Sequence, residues 1–166
     1  MPTFSSDPME RAEEERCVAD VERYGLHVLK IAAEIDSPTF AYTVGLHHTF
    51  QHPEVIVLGL PLDTMHRLLN DLADRIRAGQ RYAPNDVSSE LLEDCDVTFR
   101  TVPVRHYRPY LGWANWFNDG VTYPGLQMIY PDRHRRWPWD AGVSDAFRQN
   151  QPVLESAPVP AWARGA

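Results

Sequence analysis

The chain has 166 residues, 43% hydrophobic and 23% charged, which suits one packed domain and excludes a disordered or fibrous chain. Its net charge of −7 argues against general nucleic-acid binding, which needs a basic face. No apolar run approaches the roughly 20 residues of a membrane helix, so no membrane partner is expected.

The opening MPTFSSDPMERAEEERC has no basic segment followed by an apolar one, so the expectation is a cytoplasmic protein without a secretory leader. Within it, Asp7 is a good N-cap, Pro8 suits the first helical position, and Glu10 has capping-box spacing. Glu13, Glu14 and Glu15 place negative charge near the helix start, where the macrodipole favours it; the acid run is read as a solvated face. Cys17, Val18, Val21 and Tyr24 recur at helical spacing, and Gly25 is the expected stop. Cys17 and Cys95 form neither a CxxC pair nor a disulfide framework, and are expected as reduced, partly buried thiols.

Residues 26–33 and 40–46 read as a hairpin around the Asp36-Ser37-Pro38 turn. After the segment HHTFQHPE, Val55-Ile56-Val57-Leu58 is a continuous apolar run, as in a strand buried on both faces. Met65, Leu68, Leu69, Leu72 and Ile76 form one stripe of an amphipathic helix that ends at Gly79, with His66 at its boundary. Pro84-Asn85-Asp86 marks a loop, and residues 88–92 read as a turn of helix. Residues 97–104 alternate as a strand, with Pro103 at a sheet edge. Tyr110, Trp113 and Phe117 give the aromatic stretch 107–117 a helical spacing suited to core packing. Residues 125–130 read as a strand stopped by Pro131, and the Pro-rich tail from residue 151 as irregular. Strands and helices do not alternate regularly. The expected class is therefore α+β: a mostly antiparallel sheet or partly closed barrel with an N-terminal and a central amphipathic helix. Residues 1–150 would form a single domain and 151–166 a tail.

Two stretches hold the residue types that do chemistry. In HHTFQHPE, His52 titrates near neutrality when unperturbed, and Glu54 could act with it as an acid–base pair. A metal site built from His47 or His48, His52 and Glu54 is disfavoured, because the spacing matches neither HExxH nor a zinc finger, and no metal is assigned. In LQMIYPDRHRRWPWD, a strand leads to Asp132, Arg133, His134, Arg135 and Arg136, with Trp137 and Trp139 flanking Pro138. Arginine forks bind phosphate or carboxylate, and indoles offer stacking faces. No Walker A loop, GxGxxG or GxSxG appears.

The segments FAYTVGL…HPEVIVLGL, LLNDLADRIRAGQ and LQMIYPDRHRRWPW together resemble the bacterial DUF4262 family, a domain of unknown function, over most of the chain. The family pattern falls on Tyr42, Thr43, Gly45, His52, Pro53, Glu54, Gln127, Pro131, Asp132, Arg133, Pro138 and Trp139. His47 and His48 depart from it, which leaves His52 and Glu54 as the candidates in their turn. The resemblance implies no activity. A looser similarity of arrangement alone links the strand–loop–strand–helix order to flavin-reductase-like split barrels, which bind FMN.

The leading expectation is a small-molecule-binding domain, with catalysis left open, for an anionic or aromatic ligand that is nucleotide-like or phosphorylated. His52, Glu54 and Asp132 would supply acid–base chemistry; Tyr42, Thr43, Gln127, Arg133, Trp137 and Trp139 would contact the ligand. This composite site needs the FAYTVGL strand to pair with the GLQMIY strand. One alternative is a regulatory or immunity-like module that binds a protein partner or a second copy; another is a split-barrel oxidoreductase with FMN as cofactor.

Overall fold

A computed structural model of the protein describes residues 2–164. Helix α1 (Pro8–Tyr24) starts where Asp7 accepts the Met9 and Glu10 N–H groups and ends at Gly25, whose φ of +89° reverses the chain. Cys17 and Val21 bury its inner face; Glu14 is buried too, an exception to the solvated acid run, with its carboxylate accepting the Ser5 N–H at 2.7 Å. Glu10 does not complete the capping box but takes a hydrogen bond from the Ser5 hydroxyl.

Strands β1 (His27–Ile31) and β2 (Phe40–Val44) form the expected hairpin. The second strand stops two residues earlier than its composition suggests, because Gly45, at φ +107°, turns the chain into a short helix, α2 (Leu46–Phe50). The histidine segment is therefore helical over His47 and His48. Strand β3 (Glu54–Leu58) and helix α3 (Leu62–Arg77) follow as the apolar patterns require. Residues 88–92 are not helical but belong to β4 (Val87–Leu92), which joins β5 (Cys95–Thr101) through a two-residue turn with Asp94 at φ +62°. Strand pairing with β5, together with burial of Leu91, overrides the weak local helical signal there. The aromatic stretch is split into α4 (Tyr107–Tyr110) and α5 (Gly112–Phe117). Strand β6 (Gly125–Ile129) precedes α6 (Asp145–Asn150), a helix not read from the sequence although Ser144 caps it by accepting the Phe147 N–H.

The six strands form one open mixed sheet in the order β1-β2-β3-β6-β5-β4, so the fold is α+β and the sheet does not close as a barrel. Among the described residues only β3 and β6 run parallel, with Glu54 opposite Gly125 and Ile56 opposite Gln127. The expected pairing of the FAYTVGL strand with β6 does not occur, since β3 lies between them.

Alternation along β3 divides the core. Val55 and Val57 face α3, where Met65, Leu68, Leu69, Leu72 and Ile76 pack with Phe99 and Met128. Ile56 and Leu58 face the other layer, with Tyr42, Tyr107, Tyr110, Leu111, Tyr123 and Leu154. Each fully buried aliphatic side chain contributes roughly 1.5–3 kcal/mol, so a strand covered on both faces has to read as an unbroken apolar run. The tail is tied down. Gln151 pairs with both main-chain groups of Tyr130, and Gln127 accepts the Leu154 N–H and donates to Pro152 O, each at 2.8 Å. Among the described residues, no helix is long and apolar enough to cross a membrane.

Candidate functional site

The His52–Glu54 turn begins with a backbone requirement. A side chain at Gly45 would place its Cβ 2.8 Å from both γ-methyls of Val21, so only glycine permits α1 to lie this close to the corner between β2 and α2. That corner aims the N–H groups of Gly45, Leu46 and His47 at the Glu54 carboxylate, at 3.0, 3.1 and 3.4 Å. The Thr43 hydroxyl adds a fourth donor at 2.8 Å while accepting the Val55 N–H. Burial pushes the Glu54 carboxyl up to about 7, against the downward pull of these four hydrogen bonds.

His52 is fully buried. Its Nδ1–H donates to Pro53 O at 2.8 Å, and its Nε2 accepts the Tyr82 N–H at 3.0 Å, which assigns the neutral tautomer. Burial lowers its pKa, the Pro53 hydrogen bond opposes this, and the nearby Arg81 charge lowers it further. Arg81 itself donates to Phe50 O and Gln51 O, at 2.6 and 2.7 Å. The segment after α3 is thus clamped to the end of α2. His52 and Glu54 are two residues apart, yet His52 spends both ring nitrogens on backbone and Glu54 spends its carboxylate on backbone and the Thr43 hydroxyl.

Because β3 and β6 are parallel, His52, just before β3, and Arg133, just after β6, lie at opposite ends of that strand pair. Among the described residues no cavity found is lined by both turns, and the composite site expected from the sequence does not assemble. Tyr42 and Thr43 lie in β2, buried, and Gln127 is committed to the tail. None of these three joins Arg133, Trp137 or Trp139.

At the far end, Asp132 organises its own turn. It accepts the N–H groups of His134 and Arg136, both at 2.9 Å, and pairs with the Arg136 guanidinium at 3.1 Å. Desolvation alone would raise its carboxyl, but these hydrogen bonds outweigh it and hold the pKa below the usual value. Trp137 and Trp139 stack with centroids 5.7 Å apart, and the Arg100 guanidinium lies 4.5 Å from the Trp139 ring centroid. Arg133 is exposed, and among the described residues its side chain donates only to the neighbouring His134 ring.

Beside this turn lies a cleft of about 330 Å³, lined by Ser89, Asp94, Cys95, Asp96, Pro131, Arg135 and Trp137. The β4–β5 turn forms one wall and the turn after β6 the other. Of these lining residues the sequence marks Trp137 alone as a ligand contact. Arg135 belongs to the basic cluster but could not be told from Arg133. Its φ of +63° was the hidden difference. Ser89, Asp94 and Asp96 carry no signal in the sequence, because the β4–β5 hairpin that presents them forms by pairing and not by a local pattern. Burial raises the Cys95 thiol pKa, with Asp96 and Asp94 adding and Arg135 opposing, so it stays protonated near neutrality.

No curated protein and no solved structure matches the chain. The model for the family described as "Domain of unknown function (DUF4262)" matches residues 20–144, and the chain therefore belongs to that family.

Proposed function

We propose that the protein is a small-molecule-binding protein without covalent chemistry of its own, and that its ligand is a compact zwitterion bearing a ring. The observation that carries this reading is the convergence of Arg135, Asp94 and Asp96 on the cleft lined by Trp137. None of these three charges forms an ion pair among the described residues. The Arg135 guanidinium suits a carboxylate, the aspartates an ammonium, and the indole a ring. Two carboxylates in the same wall would repel a multiply charged phosphate, which turns the reading away from nucleotides. A protonated Cys95 thiol makes a poor nucleophile, and His52 and Glu54 lie at the other end of the sheet, which favours binding over catalysis. A cytoplasmic setting, where free Cys17 and Cys95 stay reduced, accords with this reading.

Isothermal titration with L-phenylalanine, L-tyrosine and adenosine monophosphate tests it. An aromatic amino acid should bind, and Arg135→Gly, which suits the left-handed backbone there, should weaken binding about tenfold or more through loss of the fork. Absence of heat from both amino acids at millimolar concentration, or tighter binding of the nucleotide, would overturn the reading.

A further inference from the structure

A second groove lies on the β1–β2 side of the sheet. Ile31, Phe40, Tyr42 and Tyr110 line it, with Arg108, Gly112, Glu34 and Trp162 also in its lining. Its volume is about 240 Å³, and a neighbouring hollow of about 420 Å³ shares Glu34, Ser37 and Trp162 with it. The groove is built by long-range packing. Phe40 and Tyr110 meet edge to face at 5.3 Å, and Tyr110 meets Trp162 edge to face at 5.6 Å. Trp162 comes from the tail, which is pinned nearby where Ala157 O accepts from His106 Nε2 at 2.8 Å and from Arg105 at 3.1 Å.

Two donors in this groove have capacity to spare. Arg108 is exposed and forms no ion pair among the described residues. The buried Tyr42 hydroxyl accepts the Trp113 N–H at 3.0 Å, at the junction with the lining residue Gly112, so its own proton remains to be donated. A guanidinium and a phenol proton above an aromatic floor suit one carboxylate attached to one ring. The Glu34 carboxylate in the same lining works against a second negative charge.

We infer that this groove is a binding site for a planar aromatic monocarboxylate, with the carboxylate held by Arg108 and Tyr42 and the ring lying against the Trp162 indole. The site is separate from the Arg135 cleft and does not depend on it.

The test uses the full chain labelled with ¹⁵N and follows its five tryptophan indole N–H signals, with Trp162 assigned through Trp162→Phe. Indole-3-acetate is the probe, and indole and acetate are its two half-ligands. The Trp162 signal should shift saturably with indole-3-acetate and far less with either half-ligand. Arg108→Ala should weaken binding about tenfold or more while the rest of the spectrum stays unchanged, and Arg108→Lys should fall between. Arg135→Gly should leave the titration as it was, which separates this site from the first cleft. A Trp162 signal that does not move, equal binding of indole, or unchanged affinity in Arg108→Ala would each overturn the inference.

Discussion

The turn before β3 and the turn after β6 hold similar inventories, since each joins an acid, a histidine and a proline, and they cap opposite ends of the same parallel strand pair. Their side chains are used in opposite ways. Glu54 and His52 are buried, and every bond their polar atoms make goes to backbone or to Thr43. The second turn spends only Asp132 and Arg136 on its own shape and leaves Arg135 facing a cleft. A carboxylate surrounded by donors is a structural cap, whereas a charge at a cleft without an ion partner has capacity left for a ligand.

The sharpest way to break this comparison is Glu54→Ala. It would strand three backbone N–H groups and the Thr43 hydroxyl without an acceptor, and the expected cost is about 3–5 kcal/mol in urea unfolding. A loss below about 1 kcal/mol would mean that the corner does not depend on this carboxylate. Asp132→Ala should lower the urea midpoint less, because its turn lies at the surface and Arg136 stays solvated when unpaired. Equal losses in the two variants would remove the distinction between the turns.

The smallest effect is in the pH dependence. A raised Glu54 pKa gives stability that is full below the ordinary value of 4.5 and is lost as pH rises through about 7. A lowered His52 pKa works the other way: its contribution is full above 6.5 and is lost as pH falls through the depressed folded value. The two oppose each other in the wild type. Glu54→Gln removes the first, so the stability of this variant should climb more steeply with pH between 5 and 7 than that of the wild type. Parallel profiles from urea melts across that range would contradict this.

Much of the fold was legible because it follows from short-range patterns. The Asp7 cap, the stripe on α3 and the apolar run of β3 each record a local period or a local hydrogen bond. Strand β4 was not legible, since its polar, exposed residues become a strand only through pairing with β5. The candidate sites were legible as residue types and not as partners. Gln127 looked like a ligand contact and proved to hold the tail, because a buried amide in mid-sheet must pair with whatever backbone covers it. Trp162 and Tyr42 are 120 positions apart and gave no sign of lining one groove.

The sequence by itself determined the class, the main helices and the doubly buried strand, since hydrophobic periodicity dictates which face each element buries. Tertiary structure alone decided which polar residues remain free. The parallel register of β3 with β6 sent His52 and Arg133 to opposite ends, and the approach of α1 at Gly45 turned three amides onto Glu54. Whether a side chain's hydrogen-bonding capacity is spent depends on groups brought near it from distant parts of the chain, and residue type and spacing do not encode that.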